Sequence, residues 1–141
     1  MPDLELLKPK IRRLALSLIE KCREQGLEAE ISYTLRTHEE QDALYRRGRE
    51  ASGDIVTNAR AGYSFHNYGV AFDARPLVDG KKPEGEVRVA LAKKIGRIGM
   101  DLGLEWGGTW ESFPDLPHFQ YTAGYSIGDF LASTVDWQKF E

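Results

Sequence analysis

Two of the chain's three histidines lie in short segments crowded with aromatic and turn-forming residues, and each has an aspartate close by. Ser64-Phe65-His66-Asn67-Tyr68-Gly69-Val70-Ala71-Phe72-Asp73 sets His66 and Asp73 seven positions apart on either side of Gly69. Pro114-Asp115-Leu116-Pro117-His118-Phe119-Gln120 sets Asp115 three positions before His118. Taken singly, each residue has an ordinary reading: a histidine is commonly a core or surface residue, and an aspartate after an apolar run is commonly a turn or a cap. Taken together, two imidazoles and a carboxylate supply the three protein ligands of a catalytic metal site that keeps a fourth position open, and Asp115 is left over as a base. On that reading the fold must bring together two segments far apart in the chain.

The blocks around these residues carry a family likeness. Ser64-x-His66 followed by Gly69-x-Ala71-x-Asp73, with Asp115-x-x-His118 further on, resembles the zinc peptidases of the D-Ala-D-Ala carboxypeptidase and dipeptidase superfamily, peptidase family M15. More narrowly, Tyr33-Thr34-Leu35-Arg36-Thr37, Glu40-Gln41-x-x-Leu44-Tyr45, Val56-Thr57-Asn58-Ala59-Arg60 and His66-Asn67-Tyr68-Gly69 are similar to the L-alanyl-D-glutamate peptidases of phage endolysins and bacterial wall hydrolases. The likeness runs from about Arg36 to Tyr121.

The resemblance implies Zn²⁺ held by His66, Asp73 and His118, with Asp115 as the general base that later returns its proton to the leaving amine. It implies Arg36 on the oxyanion, although a surface arginine is the ordinary reading of that residue. Ser64 would hydrogen-bond substrate or orient His66, and Arg60 is a weaker candidate for substrate carboxylates. Dipeptidase relatives carry Glu where this chain has Asp115, and Glu111 is close enough in sequence to be a rival base. Trp106 and Trp110 are read either as walls of a substrate groove or as core aromatics. The implied activity is hydrolysis of the L-Ala–D-Glu bond of peptidoglycan stem peptides. D-Ala-D-Ala carboxypeptidase or dipeptidase activity is the alternative, and a non-catalytic wall-binding module that keeps zinc is the third reading.

Composition limits the remaining classes. The 141 residues suffice for one ordinary core, and 41% hydrophobic with 29% charged residues is a soluble globular balance. A net charge of −3 gives no basic footprint for nucleic acid. The single cysteine, Cys22, cannot form an internal bridge, and its helical phase predicts a packed thiol. No run approaches the roughly 20 apolar residues of a spanning helix, and no basic-plus-apolar leader opens the chain. The expectation is a monomer that stays in the cytoplasm until it is released to the wall. Residues 1–141 are expected to form a single catalytic domain without a separate wall-binding module.

Periodicity predicts the elements. Leu4, Leu7, Ile11, Leu14, Leu18 and Cys22 mark an amphipathic helix stopped by Gly26. Alternation over Ala29–Leu35 predicts a strand, and Thr37-x-x-Glu40 is a capping box opening a helix from His38 to Arg47 before Gly48. Gln41, one turn beyond Thr37, is placed to buttress Arg36, and His38 reads as a solvated residue. Ala51–Tyr63 is read as a loop across the mouth of the site, Tyr68–Ala74 as a strand entered sharply through Gly69, and Pro76–Glu86 as a turn-rich loop. Val87, Ala90, Leu91, Lys94, Ile95, Ile98 and Leu102 predict a second long helix ended by Gly103. Leu104–Trp106 and His118–Tyr121 are short strands, and Ser126-x-x-Asp129 caps a terminal helical turn. Helices and strands in separate clusters predict an α+β domain with a small antiparallel sheet carrying the site and helices packed on one side.

Overall fold

A computed structural model describes residues 2–57 and 59–141. Its elements in chain order are α1 (Pro9–Glu24), β1 (Glu28–Tyr33), α2 (His38–Arg46), β2 (Ala71–Leu77), α3 (Gly85–Asp101), β3 (Glu105–Trp106), β4 (His118–Gln120) and α4 (Ile127–Leu131), with short 3-10 turns between them. The strands form one antiparallel sheet in the order β1-β2-β4-β3. This is the α+β arrangement expected from the sequence.

The register separates the two faces. Phe72 pairs with Phe119 and Trp106 with Phe119, so these aromatics point to one side, where the Phe72 and Phe119 rings stack at 5.6 Å. Helices α1 and α3 cover that side and bury Ile11, Ala15, Leu18, Cys22, Ile95 and Ile98. Each fully buried aromatic or large aliphatic side chain contributes about 1.5–3 kcal/mol relative to exposure. Because side chains alternate along a strand, Ala71, Asp73, His118, Gln120 and Glu105 share the opposite face. That face carries the site.

Several boundaries differ from the sequence reading for identifiable reasons. The first helix begins at Pro9 rather than Leu4: proline takes the first helical position and disfavours helix at the residue before it, so Leu4–Leu6 form a separate 3-10 turn. The first strand starts at Glu28 and ends at Tyr33, before Thr34 and Leu35. Strand β2 runs through Pro76, where the sequence predicts a loop. The amide of Ala74 points toward the β4 side and bonds the Pro117 carbonyl, so the proline nitrogen faces that same side beyond the last β4 pairing, where its missing hydrogen costs nothing. Tyr68 belongs to the 3-10 turn Phe65–Tyr68 rather than to the strand.

The buried face of α3 is also rotated from the one predicted. Val87 is exposed, whereas Ala92, Gly96 and Gly99 are buried. A β-carbon at Gly96 would overlap the Trp106 ring, and one at Gly99 would overlap Phe119. Glycine there admits the aromatics of the sheet against the helix backbone. At the C-terminal end, Trp137–Phe140 form a further 3-10 turn that periodicity does not predict, with Phe140 fully buried among Tyr121, Tyr125 and Phe130.

Candidate active site

His66 is held by the turn it sits in. Ser64 caps the 3-10 turn Phe65–Tyr68, its Oγ accepting from the His66 amide at 3.2 Å, while Asn67 Oδ1 accepts from the Ser64 amide. Asn67 Nδ2 donates to the Arg36 carbonyl at 2.8 Å and the Arg36 amide donates to the His66 carbonyl at 3.0 Å, which ties this turn to the end of β1. Gly69 ends the turn with φ 73, a left-handed conformation that glycine adopts without strain, and the chain then enters β2.

Strand register supplies the other two groups. Asp73 on β2 lies directly across from His118 on β4, and the 3-10 turn before β2 brings His66 over both. His66 Nε2 is 3.1 Å from Asp73 Oδ1, and His118 Nδ1 is 3.2 Å from His66 Nε2 and 3.8 Å from Asp73 Oδ1. Both histidines are buried.

The hydrogen bonds behind the rings identify what this cluster can hold. A neutral imidazole carries one ring hydrogen. His66 Nδ1 faces the Thr34 carbonyl at 3.0 Å and His118 Nε2 faces Gln120 Oε1 at 2.7 Å, and because both oxygens only accept, they assign the hydrogen of each neutral ring to those two nitrogens. Two ring lone pairs and a carboxylate oxygen are thus aimed at one another. A cation between them is a partner that satisfies acceptors converging in a buried site, and two imidazole nitrogens with one carboxylate form a donor set suited to zinc. Among the described residues, His66, Asp73 and His118 are the group of metal-binding type whose ligand atoms lie within 4.8 Å of one another.

Electrostatics agree with this. Burial, then the neighbouring His66, push the His118 imidazole down to about 4, so it is neutral at pH 7 and free to donate a lone pair. Burial by itself would raise the Asp73 carboxyl, but the neighbouring His66 and His118 imidazoles when protonated, together with the Arg36 guanidinium, outweigh it and hold Asp73 below the usual carboxylate range, so it is a carboxylate beside the two rings.

Asp115 stands beside the cluster with Oδ2 4.0 Å from His118 Nδ1. Burial, reinforced by the like charge of Asp73, pushes its carboxyl up to about 6. Its carbonyl lies against Gly107, where a β-carbon would approach to 2.5 Å, so the glycine of that turn sets how closely Asp115 nears the site. The rival Glu111 is exposed and does not line the cleft.

These groups form the floor of a cleft of about 660 Å³. Val56, Thr57, Tyr63, Trp110 and Phe113 line it as well. The 51–63 segment therefore borders the site as expected; Asn58 within it lies outside the described residues. Ser64 and Arg36 also line the cleft. Arg36 Nη1 donates to Gln41 Oε1 at 2.8 Å, Gln41 Nε2 donates to the Ala59 carbonyl at 2.6 Å, and the guanidinium lies 4.8 Å over the Tyr33 ring. Among the described residues, Arg36 Nε is a buried donor without a protein partner.

The two tryptophans divide. Trp110 packs 5.0 Å from the His118 ring and is partly exposed at the cleft, whereas Trp106 is buried in the core with its Nε1 donating to the Leu116 carbonyl at 2.7 Å. Arg60 is not brought into the cleft: it is exposed and lies 5.5 Å over the Tyr45 ring. His38 packs against Tyr68 away from the cluster. Thr34, Gln120 and Glu105 were not singled out from the sequence. The available signal was the strand position of Gln120, two residues from His118 and therefore on the same face.

Comparison with known proteins gives a consistent result. A family model described as D-alanyl-D-alanine carboxypeptidase matches residues 57–121. The peptidoglycan L-alanyl-D-glutamate endopeptidase CwlK of Bacillus subtilis (strain 168) is 34% identical over 131 residues, covering 85% of this chain and 76% of that protein. The L-alanyl-D-glutamate peptidase of Listeria phage A118 is 30% identical over 132 residues, covering 92% of this chain; the chain spans only 43% of that phage protein. The crystal structure of the L-Ala D-Glu endopeptidase ChiX of Serratia marcescens superposes with a TM-score of 0.56 at 27% identity, covering 84% of this chain and 83% of that one.

Proposed function

This chain belongs to peptidase family M15, and on that premise we propose that it is a zinc peptidase hydrolysing the L-alanyl–D-glutamate bond of peptidoglycan stem peptides. The observation that carries the reading is the convergence of two ring lone pairs and a carboxylate oxygen, from His66, His118 and Asp73, on the floor of an open cleft. The choice of bond follows the named activities of the relatives, two of which match most of this chain at 30% identity or more. The domain spanned by residues 1–141 would be the catalytic one.

His66 Nε2, Asp73 Oδ1 and His118 Nδ1 would hold the ion. Zinc bound there would supply Lewis acidity, polarising an amide carbonyl and lowering the pKa of a water toward about 7. Asp115 Oδ2 borders the same space and would take the proton of the attacking water, then deliver it to the departing amine. A carboxyl raised by burial is suited to both halves of that task. Arg36, braced by Gln41 and with Nε unpartnered by protein, would stabilise the negative charge that develops on the carbonyl oxygen. Ser64 would act by fixing the His66 turn, and Trp110 by walling the substrate beside His118. Arg60 would reach a substrate only outside the cleft.

The family model's description favours a second reading, removal of a terminal D-alanine. Both reactions are amide hydrolyses with the same machinery, so the products decide. Digestion of purified cell wall by the zinc-loaded protein, followed by mass and end-group analysis, is expected to give new N-terminal D-glutamate with L-alanine left on the sugar-linked part. Release of D-alanine alone would replace this reading with the carboxypeptidase one.

A further inference from the structure

We propose that Gln120 and Glu105 are positioning residues that hold His118 in the tautomer leaving Nδ1 free for the metal ion. The proposal rests on the zinc reading above and concerns how the protein prepares one ligand for it. His118 and Gln120 are two residues apart on β4 and share a face, and Glu105 on β3 is the cross-strand partner of Gln120. The three side chains therefore line up across the sheet as His118, Gln120, Glu105.

The direction of this line is set at its far end. A glutamine amide can turn either its oxygen or its NH₂ group toward a neighbour, so Gln120 by itself does not choose the tautomer of His118. Glu105 does choose, because an ionised carboxylate only accepts. Its Oε2 receives the Gln120 Nε2 donor at 2.6 Å, and its Oε1 receives the Thr122 hydroxyl at 3.4 Å. Gln120 Oε1 is thereby turned to His118 Nε2 at 2.7 Å, and an amide oxygen can only accept. The single ring hydrogen of neutral His118 is then confined to Nε2. The Nδ1 lone pair faces His66 Nε2 and Asp73 Oδ1. His66 reaches the same condition through a backbone carbonyl, that of Thr34, which no side-chain substitution removes. Partners behind metal-binding histidines are typically worth 10–100-fold in metal affinity.

The experiment reads two quantities at pH 7: the ring-nitrogen chemical shifts of His118 in the metal-free protein, which report the tautomer, and zinc affinity by chelator competition. The wild-type protein should show the Nε2–H form. Gln120→Leu should lose that bias and weaken zinc binding about 10–100-fold. Glu105→Gln, a near-isosteric change at an exposed side chain, lets the Gln120 amide turn over and should shift His118 toward the Nδ1–H form with a loss of affinity in the same direction. The double variant Glu105→Gln/Gln120→Glu recreates an acceptor facing His118 with a donor behind it, and should recover both readouts. Wild-type tautomer in both single variants, or a double variant no better than Gln120→Leu, would overturn the proposal. Failure of the wild-type protein to bind zinc would instead overturn the zinc reading, and the tautomer shifts would still decide the role of Gln120 and Glu105.

Discussion

Asp73 and His118 are direct cross-strand partners in the antiparallel pair β2–β4, with Phe72 and Phe119 stacked on the other side of the same two strands. One register therefore fixes both the core and the ligand pair. A slip of a single residue would turn Asp73 into the core and Phe72 into the cleft, so the hydrophobic packing of the sheet enforces the geometry of the site.

Asp115 carries the proton-transfer role in this account, and its removal separates chemistry from metal binding. Asp115→Ala is expected to lower kcat/KM on cell wall by at least about 10²-fold while zinc content and thermal stability stay near wild type. Glu111→Ala, at an exposed residue outside the cleft lining, is the control and should remain active. Loss of turnover in Glu111→Ala with Asp115→Ala active would assign the base to Glu111.

Gly96 is a packing residue. Alanine is the better helix former by about 1 kcal/mol, but a β-carbon at this position overlaps the Trp106 ring, and overpacking of this kind typically costs about 1–3 kcal/mol. Gly96→Ala should therefore lower the midpoint of thermal unfolding, and a combined Gly96→Ala/Trp106→Leu variant should tolerate the alanine better than the wild-type background does. A raised midpoint in Gly96→Ala would show that helix propensity dominates there.

The same glycines mark where the sequence stopped being legible. Period and capping signals located α1, α2, α3 and the Ser126 cap, because those depend on residues a few positions apart. The buried face of α3 could not be read from apolar residues alone, since two of its contact points are glycines chosen for the rings they admit from β3 and β4. The site followed a similar division. His66, Asp73, His118 and Asp115 stood out by residue type and family likeness, and the structure gathers them into one cluster. Gln120, Glu105 and the Thr34 carbonyl depend on strand pairing and on a backbone group, neither of which residue type reveals. Trp106 and Trp110 were indistinguishable in sequence because a tryptophan serves a core and a groove equally well; packing against α3 assigns the first to the core, and contact with His118 leaves the second at the cleft.

Cys22 provides a pH-dependent test of core packing. The side chain is fully buried, and burial pushes its thiol from an ordinary 9.0 up to about 11. The folded state therefore binds this proton more tightly than the unfolded state. Its contribution is fully present below about pH 9 and is lost as pH rises toward about 11. A disulfide reagent at pH 8 should leave the native thiol almost unreacted and titrate one thiol per chain in denaturant, and native stability should decline over that alkaline window. Rapid labelling of the native protein at pH 8 would contradict the buried position.

The most direct measurement is metal analysis of protein purified without added zinc. One zinc per chain is predicted for the wild-type protein and for His38→Ala, whose side chain packs on Tyr68 outside the cluster. The triple variant His66→Ala/Asp73→Ala/His118→Ala should contain essentially none. A triple variant that keeps the wild-type zinc content would contradict the central claim that these three residues hold the ion.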